Sequence, residues 1–493
     1  MEVLSELNIG PSTQFITVFV VTLIAIFAGY YFKFKASFSL IGKKLPPGSF
    51  GIPLIGESIS FIRAQKQDKT DEWIQTRIRK YGPVFKTSLM GDKTVVLTGQ
   101  AGNRFVFSGS DNGIAGNQVE TASKILGKHS IFELSESRHK LVRSGLMSFL
   151  KPESIQRFVG EMDSLVQQQL FKELNGKDLV QMVGLMKKIT FKVTCSLLFG
   201  LPEGQEKDAL LEDFAIATKG LWAIPLNIPG TIFYKAMQAR GRISKILINL
   251  MQNRRVEEDK NTSQKNDIIS VFLHLRDEAG EPLQVEEILD NLITLVVASH
   301  DTTTILLGLI LRHLSTDAKT FGEVLEEQKE VAKAVKASGD EGRLTWSEIQ
   351  MIKHTWRVAQ ELMRLTPPVF GNFKCTSRDT SFNGFHIPKG WKVFWVSSAT
   401  HMDHNLFEDP NKFDPSRFES SKKSSYPPYT HIPFGAGPRI CPGLEFARVE
   451  VLLIIHYFIT NYTWTPIIKN EPIRREPMPY PAMGLPVKLR KIL

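Results

Sequence analysis

Cysteine is scarce in this chain: 493 residues contain only Cys195, Cys375 and Cys441. So small and odd a set excludes a disulfide framework and points to a reducing compartment. No CxxC pair or Cys/His spacing of the zinc-binding kind occurs. Internal repeats and long low-complexity stretches are missing after residue 50, which excludes a solenoid. The formal net charge of +10 would suit nucleic acid, an anionic membrane or an acidic protein. The lysines are scattered, and there is neither zinc-finger spacing nor an RNA-binding aromatic motif, so nucleic acid is not an expected partner.

What is present fits a large globular body. Apolar residues make up 42% and charged residues 23%, enough to bury a broad core and still line a cavity. The length suits two or three ordinary domains or one large one. Phe15 to Phe32 carries no charge and would span roughly 27 Å as a helix, close to a bilayer core. Glu2 and Glu6 precede this run, and Lys33, Lys35, Lys43 and Lys44 follow it, so the N-terminus is expected in the lumen and the rest in the cytosol. Leu45 to Pro53 holds three prolines and two glycines and reads as a stiff hinge. The expected organisation is a lumenal stretch 1–14, a transmembrane anchor 15–32, a basic stop-transfer and proline-rich hinge 33–56, and a catalytic domain 57–493.

In the body, Phe85 to Leu97 reads as a hairpin turning at Gly91-Asp92, and Ser381 to Val396 as a second strand-rich patch. The middle, about 150 to 365, has helical periodicity. The expected fold is mainly α with small β-sheets at one side, and no clean two-domain split. Leu221 to Phe233, apolar and interrupted by proline, is either a buried loop or a mobile lid that touches a bilayer.

Phe434 to Gly443 (FGAGPRICPG) presents one thiolate under tight backbone constraint. Gly435, Gly437 and Gly443 let the chain turn sharply and approach a flat object closely. Arg439 supplies a cation beside the sulfur, and Phe434 can shield one side of it. Upstream, Leu289 to Leu314 is a long apolar stretch broken by Ser299-His300-Asp301-Thr302-Thr303-Thr304. A mid-helix threonine hydroxyl can bond back to the carbonyl of Ala298 and loosen the helix, and Asp301 with Thr302 can relay protons. His300 reads as a polar neighbour, and His401-Met402-Asp403-His404 as a polar loop, since no third metal ligand accompanies either. Glu361 and Arg364 share a helix face, and Arg417 can complete a buried ion-pair triad with them.

The pattern F-x-x-G-x-R-x-C-x-G at 434–443 resembles the haem-binding signature of the cytochrome P450 monooxygenases. Ala298, Asp301, Thr302 and Thr303 match the family's A-G-x-D-T-T element, with Ser299 where glycine is usual. In PPGSFGIPLIGE, YGPVFKTSLMG, PPVFG and PYTHIPFGAGPRICPG the chain is similar to the plant clan that oxidises sterols, triterpenes and diterpenes, including β-amyrin oxidases and taxane hydroxylases. The resemblance implies haem b with Cys441 as axial iron ligand. It implies propionate contacts from Arg439, His139, Arg143 and Lys374, the last standing where arginine is usual. It implies apolar pocket walls from Ile114, Leu126, Leu295, Ala298, Val369, Phe370, Met483 and Leu485, each of which could equally be core. Glu361, Arg364 and Arg417 would hold the fold. The expected reaction inserts one atom of O2 into a C–H bond of a hydrophobic terpenoid or sterol-like substrate, with successive oxidations to aldehyde or acid open. With no flavin or iron–sulfur signature in the chain, electrons would come from NADPH through a membrane-bound NADPH–cytochrome P450 reductase; Arg439, Arg448 and Lys469 are candidate docking cations. The endoplasmic reticulum membrane is the expected location. A haem-thiolate isomerase or dehydratase, needing neither O2 nor reductase, is the alternative, and a non-catalytic haem carrier or membrane scaffold a third.

Overall fold

The computed structural model describes residues 18, 20–22 and 43–492, except 54, 110–111, 135, 261–266, 340–341 and 477. The expected anchor and the basic stretch after it therefore lie almost wholly outside the described residues. Among the described residues one helix is long and apolar enough to cross a membrane, Val285–Leu314, and it is mostly buried inside the protein.

That helix is the axis of the molecule. Its start is fixed by a capping box in which the Gln284 side chain and the Glu287 carboxylate satisfy each other's backbone amides. Glu286 and Glu287 sit in its first turn and Arg312 and His313 in its last, matching the helix dipole. Apolar residues occupy nearly its whole circumference, so neighbours must cover it on every side. Helices Met182–Phe199, Ile232–Asp259, His354–Leu365 and Leu444–Asn461 do so.

The sheets lie to one side of this helical body. Strands Val84–Leu89 and Asp92–Leu97 form an antiparallel hairpin. Its two loop residues are Met90 and Gly91, at φ 54° and 86°, the left-handed pair that a two-residue hairpin turn needs. The turn thus falls one residue earlier than expected, and Asp92 is already paired with Leu89. Lys392–Val396 continues the sheet in parallel, then Gly371–Thr376 and the edge strand Ile114–Gly116 add antiparallel. Asn383-Gly384 turns a separate small hairpin, Thr380–Phe382 with Phe385–Ile387. The 381–396 patch is therefore divided between two sheets. Near the C-terminus, Ile473–Arg475 pairs with Pro479–Pro481, and Pro486–Lys491 lies between Leu179–Gln181 and Tyr462–Pro466.

The proline-rich segment is docked on the body: the Lys86 amide donates to the Pro47 carbonyl at 2.7 Å, and Phe50 packs edge-on to Trp391. Gly48, at φ 131°, lies so close to Lys86 that a Cβ would stand 2.2 Å from its carbonyl oxygen. The buried-loop reading of 221–233 fails: Ile224 is 73% exposed and Leu226 and Ile228 are also open to solvent. Its end is set by Thr231, whose hydroxyl accepts from the Tyr234 amide and so caps the helix Ile232–Asp259.

Candidate active site

Cys441 sits just ahead of helix Leu444–Asn461. Its amide donates to the Phe434 carbonyl at 2.9 Å, which closes the loop on itself. Gly437, at φ 64°, permits that closure, since a Cβ there would stand 2.0 Å from the Phe107 carbonyl oxygen. Gly435 lies against the Phe107 ring, and Phe434 packs against the main core. Cys441 is accessible yet densely surrounded by protein, the condition of a group on the floor of a recess. Burial pushes its thiol up, while the Gly443 amide and the Arg143 guanidinium favour the thiolate.

A cluster of cations adjoins this floor. His139 and Arg143 come from helix Glu136–Leu150, Lys374 from strand Gly371–Thr376, and Arg439 from the cysteine loop. Arg439 donates to the Leu134 carbonyl at 2.8 Å, and Arg143 to the Ile440 carbonyl at 2.8 Å. None of the four has a carboxylate ion-pair partner among the described residues. Burial, then Arg439, Arg143 and Lys374, depress His139 to about 4; burial and then Arg439 lower Lys374 to about 8. Cations that depress one another and lack a protein anion create demand for a bound one. Gly116, paired with Lys374 across the sheet, is part of this device. A Cβ there would meet the Phe132 carbonyl at 2.1 Å and the Arg439 guanidinium at 3.1 Å. An accessible sulfur, a loop without side chains at its closest approaches and cations without a carboxylate partner fit a thiolate-ligated haem with two propionates.

The other half of the site is the middle of Val285–Leu314. Residues on both sides are buried, but Ala298 is exposed and Ser299 and Thr302 are half-buried, which marks an opening along one side of a core helix. Thr302 Oγ1 donates to the Ala298 carbonyl at 2.8 Å. Asp301 is almost fully buried: Lys187 Nζ reaches its Oδ1 at 2.7 Å, and the Tyr480 hydroxyl donates to the same oxygen at 3.2 Å. Burial opposes its ionisation, but His300, Lys187 and Tyr480 outweigh that and hold the carboxyl below its usual range. His300 donates through Nδ1 to the Val296 carbonyl at 2.7 Å, and its Nε2 lies 3.5 Å from Asp301. The two halves are joined through 129–134. Asn291 on the core helix bonds the His129 carbonyl and the Ile131 amide, and Arg439 bonds the carbonyls of Ile131 and Leu134.

The expected pocket walls divide. Ala298 and Met483 are exposed, and Leu295 and Val369 partly so. Ile114 is packed into the sheet cluster with Phe107 and Trp395, while Leu126, Phe370 and Leu485 belong to the main core. Those four are buried and packed against their neighbours. Glu361, Arg364 and Arg417 do form a buried triad, with Arg364 bidentate on Glu361 at 2.7 and 2.8 Å and Arg417 at 3.4 Å. His401 is not in a polar loop. It is fully buried, and its Nε2 accepts from the Ile432 amide at 3.0 Å. Two proposed docking cations are also engaged internally: Arg439 as above, and Arg448 with Glu445 at 2.5 Å and over the Trp346 ring. Lys187, Tyr480, Gly116 and Asn291 went unread in the sequence.

Residues 46–493 match the family model "Cytochrome P450". The chain belongs to the cytochrome P450 family. It is 36% identical over 492 residues to taxane 13-alpha-hydroxylase of Taxus cuspidata, covering 99% of each chain. It is 36% identical to beta-amyrin 28-monooxygenase of Medicago truncatula, over 90% of this chain and 92% of that one. The solved structure of retinoic acid bound cyanobacterial CYP120A1 superposes with a TM-score of 0.80 at 29% identity, covering 92% of this chain and all of that one. The P450 fold, helix-rich with small sheets, is thus shown. So is the enzyme class, a cytochrome P450 monooxygenase that incorporates molecular oxygen.

Proposed function

We propose that this P450 hydroxylates a hydrophobic plant terpenoid or sterol-like molecule, with electrons from NADPH–cytochrome P450 reductase. The observation that carries the substrate class is the pair of relatives just described, one acting on taxanes and one on β-amyrin, each aligned over nine-tenths or more of the chain. The apolar character of the candidate walls that remain accessible, Leu295, Ala298, Val369 and Met483, supports it, since apolar walls suit a ligand with few polar groups.

In this reading Cys441 ligates the iron, while Arg143, Lys374, Arg439 and neutral His139 hold the propionates. A thiolate-ligated haem, when bound, supplies O2 activation and O–O cleavage. The chain's own residues do the rest. Thr302 holds its hydroxyl at the opening through its bond to Ala298, from where it can hand a proton inward. Asp301, ionised at rest, takes a proton from the Lys187 ammonium and passes it toward Thr302, and Lys187, partly exposed, regains its proton from solvent. The packed core on either side keeps other water out. Repeated oxidation of one methyl would give alcohol, aldehyde and acid.

The anchor 15–32 would hold the enzyme in the endoplasmic reticulum membrane with its catalytic domain in the cytosol. The exposed Ile224, Leu226, Ile228 and Ile232 would rest on the lipid and receive an apolar substrate from it. The test is to incubate microsomes containing this protein and reductase with NADPH and a panel of diterpenes and triterpenes. A product one oxygen heavier, formed only with NADPH and lost with Cys441→Ser, is expected. Turnover without NADPH, or a Cys441→Ser protein that keeps the red-shifted Soret band under carbon monoxide, would refute the reading.

A further inference from the structure

Asp301 is the meeting point of three elements. Lys187, from helix Met182–Phe199, binds its Oδ1 at 2.7 Å, and Tyr480, from strand Pro479–Pro481, donates to the same oxygen at 3.2 Å. The third side of the triangle is also closed. The Met182 and Val183 amides donate to the carbonyls of Leu485 and Gly484, at 3.1 and 3.0 Å. The segment 479–485 is anchored again where the buried Glu471 carboxylate accepts from the Met483 amide. The Glu471 carbonyl in turn accepts from Arg312, on the same core helix as Asp301, at 2.7 Å. Between these anchors the Met483 side chain stands 60% exposed. The phenol that holds the Asp301 carboxylate thus belongs to a segment fixed both to helix Met182–Phe199 and, through Glu471, to the core helix.

We propose that Tyr480 is a positioning residue through which the anchored segment 479–485 holds the Asp301 carboxylate in place for proton transfer. The inference rests on the proton-relay reading given above. The phenolic hydrogen bond fixes where Oδ1 sits, while Lys187 keeps the carboxylate charged and in contact with solvent. Tyr480 touches neither substrate nor haem in this scheme. Its effect passes through Asp301, so it must show in the proton-transfer step rather than in haem binding.

The test compares full-length, haem-loaded wild type with Tyr480→Phe, which keeps the ring and its packing and removes only the hydroxyl. The first readout is hydrogen exchange in peptides covering 296–306. Loss of one hydrogen bond to a charged group predicts exchange about tenfold faster or more. The second is the solvent deuterium isotope effect on reductase-driven NADPH oxidation without added terpenoid, expected to change at least about twofold because the carboxylate that relays the proton has been displaced. A merely structural tyrosine would not move the second readout. An isotope effect equal to the wild-type value overturns the proposal, whatever the exchange shows. If wild type lacks the red-shifted Soret band under carbon monoxide, the underlying haem-thiolate reading fails and this inference with it; if both proteins show the band and share one isotope effect, only the role of Tyr480 falls.

Discussion

Glu361→Ala should be among the most damaging substitutions in the molecule that touch no proposed ligand. The Glu361 carboxylate takes two bonds from Arg364, at 2.7 and 2.8 Å, one from the Asp414 amide at 2.9 Å, and a contact from Arg417 at 3.4 Å. Glu361 and Arg364 are both fully buried, and Arg417 is nearly so. Truncation leaves two guanidiniums out of water without their anion, and breaking a buried pair in this way costs about 3–5 kcal/mol. Against a total stability of about 5–15 kcal/mol, that removes a large fraction of the folded state. Replacing the whole triad (Glu361→Leu, Arg364→Met, Arg417→Met) removes the buried charges together and should cost less than Glu361→Ala alone. It will not be free, because the His401 carbonyl loses its 2.8 Å bond from Arg364. Urea titration, followed by far-UV dichroism and by the Soret band of the loaded protein, measures both variants. A Glu361→Ala protein within about 1 kcal/mol of wild type, the range of an exposed salt bridge, would refute the triad's structural role.

Gly437→Ala should abolish or severely weaken haem loading, because the left-handed backbone and the Phe107 carbonyl 2.0 Å from the added carbon cannot both be kept; a normal carbon monoxide difference spectrum would contradict this. Thr302→Val keeps the shape and removes the hydroxyl that now bonds Ala298 and would deliver the proton, so product formed per NADPH should fall at least severalfold while the carbon monoxide spectrum stays normal; unchanged coupling would exclude Thr302 from proton delivery. His139 is held at about 4 in the folded chain, below the ordinary histidine value of about 6.5, so the unfolded chain binds the extra proton first. Stability of haem-free protein should therefore be complete above about 6.5 and fall as pH drops toward 4, by up to about 3 kcal/mol; His139→Phe should flatten that part of the pH profile, and a profile identical to wild type would refute the assignment.

The parts of this protein that were legible in its sequence are those whose cause is local. The cysteine loop announces itself because glycines at 435, 437 and 443 stand within a few residues of the sulfur they expose. The core helix shows in its apolar run, and Thr302 in its spacing from Ala298. The hairpin was legible to within one residue. Asp92 is a good turn former, but pairing Leu89 with Asp92 moves the turn back and forces Met90 to φ 54°, a choice made by the register of buried side chains rather than by turn preference. Arg448 and His401 misled for the opposite reason. A charged or polar residue reads as exposed unless its partner is visible, and the partners, Trp346 and the Ile432 amide, are brought in by other elements.

The same limit explains why the active-site acid was found and its environment was not. Asp301 is marked by its neighbours in the chain, but what the carboxylate can do depends on groups that arrive from elsewhere. Lys187 reads as an ordinary helix charge, and Tyr480 lies 179 residues further on. Gly116 has no unusual backbone angle to betray it; its lack of a side chain matters only because the Phe132 carbonyl passes 2.1 Å from where a Cβ would begin. A local motif thus names the candidate acid, while long-range contacts set its charge and its reach. Two chains with the same D-T-T element can therefore differ in how they control proton entry, and position 480 is where that difference should be sought in this one.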